Sequence, residues 1–266
     1  MLVAGIDIGS GTTKCVLVDG AGVVRGRGQV KTKADFEKVS REALEAAQAD
    51  GGQSDSDIAY VATTGLGRYA VPFRDIQITD LTCGARGAVT ACPEAKYVLD
   101  IGAQCSRAIK VREGGKVKEF HMNEKCAAGS GGFLERAAKY LEVEVADIGP
   151  LSLGAAKPQA ISSVCAVLAE TEIINHVSEG VTVENILRGI HNSLADRALS
   201  LLKRVGLDGP VAFIGGVARQ EGMVVALRDK LGVPVHVPEG PQFTAALGAA
   251  LLGLQRYRKV SAPAAA

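Results

Sequence analysis

Short apolar segments that end at glycine-rich turns recur along the chain, and this pattern predicts β-strands. In the first half the predicted strands are 2–8, 14–19, 22–31 and 58–63. A helix is predicted at about 35–49, because apolar residues return there at helical spacing. In the second half the predicted strands are 97–101, 106–112, 116–121, 211–214 and a short one near 235. Helical spacing is found at about 133–141, 186–205, 220–231 and from 243 onward.

One stretch of the chain is present twice. Asp7-Ile8-Gly9 returns as Asp100-Ile101-Gly102, and the two copies stay aligned without a gap at a constant offset of 93 residues. Within the aligned stretch Lys14 corresponds to Arg107. In each copy an apolar strand ends in an acidic residue and a glycine, a short loop of small and polar residues follows, and a second strand turns back. The repeat therefore predicts two copies of one β-hairpin unit.

The repeat also predicts the fold class. Three strands followed by a helix and a strand, twice over, are typical of an α/β protein with mixed β-sheets flanked by helices. At 266 residues the chain is long enough for two domains of ordinary size. We expect a first domain at 1–94, a second at 95–257, a C-terminal helix at 243–257 that packs back on the first domain, and a flexible tail at 258–266.

Composition narrows the class of protein. Hydrophobic residues make up 47% of the chain and charged residues 22%, which is normal for a globular protein with a sizeable core. The net charge is +1 and no basic run occurs, so we expect no nucleic-acid partner. There is no signal-peptide pattern and no stretch of about 18 apolar residues, so we expect a cytoplasmic protein without a membrane partner. The six cysteines form no Cys-x-x-Cys pair, so a metal site would have to join distant cysteines or those of two chains.

The loop of each hairpin has the chemistry of a phosphate site. Backbone N–H groups of a tight Gly/Ser/Thr loop point into a concavity that suits phosphate oxygens, and a carboxylate at the strand end can hold a hydrated divalent ion. Asp-x-Gly at a strand end is also a common turn, but two matching copies favour the nucleotide interpretation. A further glycine-rich turn at 64–68 is either a plain loop or part of the same nucleotide cleft.

These segments resemble the actin/sugar-kinase/heat-shock-chaperone superfamily, in which two ribonuclease-H-like domains close on ATP. Residues 5–14 stand at that superfamily's first phosphate loop, 100–104 at its second and 213–218 at its adenosine loop. The resemblance implies that Asp7, Asp100 and Gln104 are catalytic and that Asp7 holds Mg²⁺ through water. The residues implied to contact ATP are Gly9, Ser10, Gly11, Thr12, Thr13, Lys14, Gly102, Gln104, Gly215, Gly216 and Gln242.

Two cysteines lie just before predicted helices. Cys126 precedes the helix that starts near Phe133, and Cys165 follows Ser162 and Ser163, either of which could cap the next helix. A helix N-terminus favours negative charge and lowers the pKa of a thiol. An iron–sulfur cluster normally takes four cysteine thiolates, so two per chain suffice if two chains share one cluster across a symmetry axis. The alternative is that both cysteines are small buried residues.

The segments around both cysteines, 123–131 and 162–172, resemble the paired motifs of the ATP-dependent electron activators. That family comprises 2-hydroxyacyl-CoA dehydratase activators and benzoyl-CoA reductase ATPase subunits. The resemblance implies a [4Fe–4S] cluster held by Cys126 and Cys165 together with their equivalents in a sibling ATPase subunit. It also implies that ATP hydrolysis drives one electron from ferredoxin to catalytic partner subunits, at a potential that ferredoxin alone cannot reach.

Two features favour the reductase branch of that family. The runs 147–153 and 165–175 are more similar to benzoyl-CoA reductase ATPase subunits, and the dehydratase activators have Gly-Gly-Gln-Asp where this chain has Gly102-Ala103-Gln104-Cys105. We therefore expect an ATPase subunit of a benzoyl-CoA reductase, with a homodimeric 2-hydroxyacyl-CoA dehydratase activator as the alternative. A small-molecule kinase is a weaker alternative, because the cysteine-bearing helices leave little room for a substrate pocket with a general-base Asp.

The remaining chemically active side chains match no motif. We expect Cys15 in the core, and Cys105 either in the core or as an extra thiol near the phosphates. Glu170 and Glu172 follow Cys165 and are expected to face solvent. The four histidines show no ligand spacing and are expected at the surface or at helix caps: His121, His176, His191 and His236.

Overall fold

The computed structural model describes residues 1–123, 130–162 and 166–261. Its strands are β1 (Leu2–Ile8), β2 (Thr12–Asp19), β3 (Val24–Lys31), β4 (Ile58–Gly65), β5 (Ile76–Gln77), β6 (Tyr97–Ile101), β7 (Ser106–Arg112), β8 (Lys116–Asn123), β9 (Val211–Ile214) and β10 (Val235–His236). Its helices are α1 (Phe36–Gly51), α2 (Asp80–Ala91), α3 (Gly131–Tyr140), α4 (Ile148–Leu153), α5 (Ala166–Ser178), α6 (Val183–Arg204), α7 (Glu221–Leu231) and α8 (Thr244–Ser261). None of these helices is long and apolar enough to cross a membrane.

The two β-sheets have the same strand order, and the pairs formed by their central strands have the same directions. One runs β3-β2-β1-β4-β5 and the other β8-β7-β6-β9-β10. In the first sheet β1 is antiparallel to β2 and parallel to β4. In the second, β6 is antiparallel to β7 and parallel to β9. The predicted α/β class with duplicated mixed sheets is thus confirmed, and equivalent strands of the two sheets can be compared directly.

The first compact unit contains the first sheet. It is formed by Met1–Pro93, Val111–Val117 and the chain from Pro238 onward. Alternate residues of β1 pack on opposite sides: Leu2 and Ile6 belong to a core with α1, whereas Val3 belongs to a core with α8. Strand β1 is buried on both faces, which explains its nearly continuous apolar sequence. Gly5 allows α8 to approach, since a Cβ there would lie 2.1 Å from the carbonyl oxygen of Ala246.

The second compact unit is formed by Glu94–Lys110 and Lys118–Val237. Its core is one large apolar cluster in which α6 contributes Ile186, Leu187, Ile190 and Leu194 at helical spacing. The helix ends at Arg204, and Gly206 follows with a left-handed φ of 72°. The periodicity that predicts this helix from the sequence is therefore the periodicity of its buried face.

The helices differ from the sequence-based expectation in three ways. Helices α2 and α4 are additional, and α2 consists mainly of small residues that carry little hydrophobic periodicity. Helix α1 begins one residue later than predicted because Asp35 is its N-cap, with a side chain that accepts a hydrogen bond from the Lys38 N–H at 2.9 Å. Helix α8 continues to Ser261, so the helix does not end at residue 257, where the tail was expected to begin.

Candidate functional site

Asp7 lies at the end of β1 and forms an ion pair across the hairpin. In the ladder it is opposite Lys14 of β2, and Lys14 Nζ lies 3.3 Å from Asp7 Oδ2. Both side chains are only 12% exposed. The strand register therefore places a carboxylate and an ammonium group together beside the loop that joins β1 to β2.

That loop is held from behind by Thr32, the residue after β3. The Thr32 hydroxyl donates to the carbonyl oxygen of Gly9 at 2.8 Å, and its backbone N–H donates to that of Gly11 at 3.1 Å. The hydroxyls of Thr13 and Thr32 are 2.9 Å apart. The carbonyl groups of Gly9 and Gly11 thus both accept hydrogen bonds from Thr32. Thr32 is a supporting residue that the sequence analysis did not single out.

Gly65 closes the first site on the side of β4. In the parallel ladder Thr64 is opposite Asp7 and Gly65 opposite Ile8. Gly65 has a φ of 84°, and a Cβ there would lie 2.5 Å from both Asp7 Oδ1 and the carbonyl oxygen of Ile8. The glycine-rich turn at 64–68 is therefore packed directly against the carboxylate of Asp7.

The second unit repeats this arrangement. Asp100, one residue before the end of β6, lies opposite Arg107 of β7, and Arg107 Nη1 lies 3.0 Å from Asp100 Oδ2, with both side chains 13% exposed. Gly215 follows β9 with a φ of 89°, and a Cβ there would lie 2.6 Å from Asp100 Oδ1. Gly215 is thus the counterpart of Gly65, and Arg107 the counterpart of Lys14. The sequence repeat already indicates this role for Arg107, because Arg107 is the residue that corresponds to Lys14 at the offset of 93 residues.

The loop after Asp100 is attached to the beginning of α3. Its own turn is closed by the Gly102 N–H, which donates to the Cys105 carbonyl at 2.9 Å. The carbonyl of Gly102 accepts from the Gly131 N–H at 2.9 Å, and that of Ala103 from the Gly132 N–H at 2.8 Å. The side chain of Gln104 is exposed, whereas Cys105 is partly buried.

The two remaining nucleotide-binding candidates lie in different units. Gly216 starts a 3₁₀ turn, and a Cβ at this position would meet no atom within 4 Å. Gln242 lies just before α8 in the first unit, and its side-chain oxygen is buried without a hydrogen-bond partner in the described part of the chain. A buried acceptor without a donor costs free energy.

Two cysteines of the first unit are deeply buried thiols. Burial raises the pKa of Cys15 far above its usual range and that of Cys83 to about 12. The Thr64 hydroxyl is the polar neighbour that opposes the shift of Cys83, while Asp7 and Asp80 add to it. Thiols of this kind stay protonated near neutral pH, which makes them poor metal ligands. The expectation that Cys15 lies in the core agrees with its complete burial.

Cys126 and Cys165 lie outside the described residues. Within residues 1–123, 130–162 and 166–261, no group of three or more His, Cys, Asp or Glu side chains could hold a metal ion. The helices that follow the two cysteine segments are described: α3 starts at Gly131 and α5 at Ala166.

The acidic side chains of α5 were expected to face solvent, but they contact other parts of the protein. Glu170 Oε1 lies 2.5 Å from Arg136 Nε of α3, and the Glu170 side chain is only 16% exposed. Glu172 Oε2 accepts a hydrogen bond from the Ser162 N–H at 2.6 Å. The expectation was wrong because both partners are distant in sequence, where periodicity gives no signal.

His191 is also not a surface residue. It is fully buried in α6, with Nδ1 3.0 Å from the Ser152 hydroxyl, which itself donates to the Gly149 carbonyl. Because that hydroxyl proton is already used, Nδ1 must be the protonated nitrogen of the ring. Burial, with a smaller contribution from the charge of Arg188, lowers the pKa of His191 to about 4.

Comparison with known proteins gives consistent matches over almost the whole chain. The model of the BadF/BadG/BcrA/BcrD ATPase family matches residues 4–253. The chain is 42% identical to one of the subunits of benzoyl-CoA reductase from Thauera aromatica, over 98% of this chain and 95% of that protein. It is 39% identical to the 2-hydroxyisocaproyl-CoA dehydratase activator of Clostridioides difficile, over 97% of each.

The fold also matches that of a solved structure over almost the whole chain. The activator of the 2-hydroxyisocaproyl-CoA dehydratase from Clostridium difficile with bound ADPNP superimposes with a TM-score of 0.93 at 37% identity. The superposition covers 98% of this chain and 97% of that one.

Proposed function

The chain belongs to the BadF/BadG/BcrA/BcrD ATPase family, and from this premise we propose that it couples ATP hydrolysis to low-potential electron transfer through a shared [4Fe–4S] cluster. We propose further that it serves as one ATPase subunit of a benzoyl-CoA reductase, and that its two compact units are the ribonuclease-H-like domains. The observation that carries the ATPase part is the repeated site in which a strand-end carboxylate meets a cation and a left-handed glycine.

In this proposal the first loop binds the phosphates of ATP through its backbone N–H groups and through Lys14. Asp7 holds the hydrated Mg²⁺, as hard cations prefer carboxylate and water oxygens. The residues fit this role, because Lys14 Nζ lies 3.3 Å from Asp7 Oδ2 and the Gly65 position carries no side chain that would displace Asp7 Oδ1. Lys14 would balance the charge of Asp7 before the nucleotide arrives and that of the phosphates afterwards.

The second loop contributes Asp100 and Gln104 as the catalytic pair in this proposal. Gln104 is exposed and would orient the attacking water, while Asp100 stays fixed by Arg107 at 3.0 Å. Gly216, where a Cβ would meet no atom within 4 Å, leaves the backbone open to the adenosine group. These roles are expectations from the family resemblance that the local geometry supports.

The cluster is proposed from the chemistry of the available thiols. Burial keeps Cys15 and Cys83 protonated, whereas the segments that contain Cys126 and Cys165 lead into helices α3 and α5. Helix N-termini stabilise thiolates, so these two cysteines are the better donors. Two donors per chain imply a sibling subunit that supplies the other two. When bound, a [4Fe–4S] cluster can accept and release one electron.

Iron analysis of anaerobically prepared protein tests the cluster. We expect one cubane cluster per dimer of ATPase subunits, and Cys126→Ser or Cys165→Ser should abolish it. Cys92→Ser at the end of α2 is the matched control and should leave the iron and acid-labile sulfide content unchanged. Full iron content in the double Cys126/Cys165 variant would rule out this assignment.

Partner exchange distinguishes the two branches of the family. In the reductase proposal the chain acts with a sibling ATPase subunit, catalytic subunits that hold the aromatic substrate, and ferredoxin as donor. Coexpression with these partners should give loss of benzoyl-CoA that depends on both reductant and ATP. A stable homodimer that instead activates a 2-hydroxyacyl-CoA dehydratase would favour the alternative, which the identity of 39% to a dehydratase activator supports.

A further inference from the structure

The first turn of α3 is capped by the second phosphate loop. The first N–H groups of any helix have no partner inside it and need acceptors from elsewhere. Here the carbonyl groups of Gly102 and Ala103 accept from the N–H groups of Gly131 and Gly132 at 2.9 and 2.8 Å. Any movement of these carbonyls must therefore either carry the start of α3 with it or break its capping bonds.

The contact between loop and helix is close-packed at glycine. A Cβ at position 132 would lie 2.9 Å from the carbonyl oxygen of Ala103. A Cβ at position 131 would lie 3.1 Å from the side chain of Val217. The absence of side chains at both positions allows the loop backbone to rest directly on the helix backbone, which leaves little slack between them.

An ion pair then joins α3 to α5. Arg136 stands about one turn after Gly132, and its Nε lies 2.5 Å from Glu170 Oε1. The Tyr140 hydroxyl, one turn further along α3, donates to Glu170 Oε2 at 3.3 Å. Glu170 is mostly buried, and both of its carboxylate oxygens are contacted by side chains of α3.

The network ends next to both cysteine segments. Glu172 of α5 holds the N–H of Ser162 at 2.6 Å, and the Ser193 hydroxyl donates to the carbonyl of Ser162 at 3.3 Å. Ser162 lies three positions before Cys165, and Gly131 lies five positions after Cys126. All of these contacts lie within the second compact unit.

We propose that Arg136 and Glu170 are positioning residues that transmit the state of the second phosphate loop from α3 to α5, and so to both cysteine segments at once. Occupation of the loop by a terminal phosphoryl group would shift the Gly102 and Ala103 carbonyls and with them the first turn of α3. The ion pair makes α5 follow. The part of the proposal that concerns the cysteines rests on the proposed function, whereas the link between the two helices does not.

Hydrogen exchange with nucleotide tests the link. Backbone exchange is compared in ADP and in ADPNP for the intact chain, for Glu170→Gln and for Arg188→Gln. The last variant is a matched control, because Arg188 of α6 forms an ion pair with Asp229 of α7 at 2.6 Å in the same unit. In the unsubstituted chain both α3 and α5 should differ between the two nucleotides. Glu170→Gln should keep the difference in α3 and lose it in α5, and the control should keep both.

The proposal is overturned if α5 of Glu170→Gln shows the same difference in exchange between ADP and ADPNP as the unsubstituted chain does. It is also overturned if the exchange of α3 in the unsubstituted chain is the same with both nucleotides. The exchanged pair Arg136→Glu with Glu170→Arg provides a second test, since the restored ion pair should restore the response of α5.

A redox measurement keeps this inference separate from the proposed function. If the chain carries the cluster, Glu170→Gln should retain its iron and its ATP hydrolysis but lose the difference in midpoint potential between the ADP and ADPNP states. An unchanged difference would contradict the role of the pair. Failure of the Cys126 and Cys165 substitutions to remove iron would overturn the proposed function while leaving the exchange result valid.

Discussion

Substitution of Gly65 by alanine tests the geometry of the first site most directly. Gly65 has a φ of 84°, a conformation that costs an alanine about 1–2 kcal/mol. The new Cβ would also lie 2.5 Å from Asp7 Oδ1 and from the Ile8 carbonyl oxygen, and such overpacking costs about 1–3 kcal/mol more. Gly52→Ala is the matched control, because its φ of 63° imposes the first cost while no atom lies within 4 Å.

Urea denaturation and calorimetric titration with Mg²⁺ and ADPNP measure the two consequences. Gly65→Ala should lower the free energy of unfolding by about 1–3 kcal/mol more than Gly52→Ala, which is the overpacking cost alone. It should also weaken nucleotide binding, because relief of the contact displaces the carboxylate of Asp7, whereas Gly52→Ala should bind normally. Equal unfolding free energies and equal affinities for the two variants would refute the assignment of Gly65 to the carboxylate site.

Three further predictions follow from the two units. Asp7→Asn should slow ATP hydrolysis, measured as the rate at which phosphate is formed, by on the order of a hundredfold, which is the scale of losing one preorganised charge. A wild-type rate would contradict the placement of the metal. Thr32→Val removes the hydroxyl that contacts Gly9 and Thr13, so it should cost about 1–2 kcal/mol of unfolding free energy and weaken ADPNP binding in a titration, whereas Thr32→Ser should restore both. His191 has a native pKa of about 4, below its ordinary 6.5, so the unfolded chain takes up the proton first as the pH falls. The free energy of unfolding should therefore decrease from pH 6.5 to pH 4 by up to about 3 kcal/mol, and His191→Gln should lack this part of the decrease in pH-dependent urea melts.

The features that the sequence predicts well are those set by local periodicity and by the repeat. Strand β1 is a continuous run of buried residues, and helix α6 buries apolar residues at helical spacing. The positions of both elements therefore follow from the apolar residues of the sequence. The ion pairs at Asp7 and Asp100 follow from the register, because a hairpin with the same loop length brings the residue seven positions later opposite the carboxylate. The identity of the family could likewise be predicted, since its motifs are continuous in sequence. The roles of individual site residues and the domain boundaries stay predictions.

Features that depend on contacts between distant segments could not be predicted in this way. Helix α2 is buried through small residues: a Cβ at Gly87 would lie 2.0 Å from the Thr244 carbonyl oxygen, and one at Gly248 would lie 1.8 Å from that of Cys83. Close packing of this kind requires the absence of side chains, so it leaves no apolar periodicity to detect. The burial of His191 could have been predicted, because it lies four positions after Leu187 and three before Leu194 on the buried face of α6, whereas its partner Ser152, 39 positions away, could not.

The repeat also shows where the two halves of the protein have diverged. Gly9 and Gly102 occupy equivalent positions, and in each the carbonyl group accepts a hydrogen bond that anchors the loop after the strand-end carboxylate. Gly9 accepts from the Thr32 hydroxyl at the end of its own sheet, whereas Gly102 accepts from the Gly131 N–H at the start of a helix. The first loop is thus tied to the sheet beside it, and the second to the start of α3. If ATP binding moves the second loop, our proposal has α3 and α5 follow it, so the effects of Glu170→Gln should be confined to the second unit.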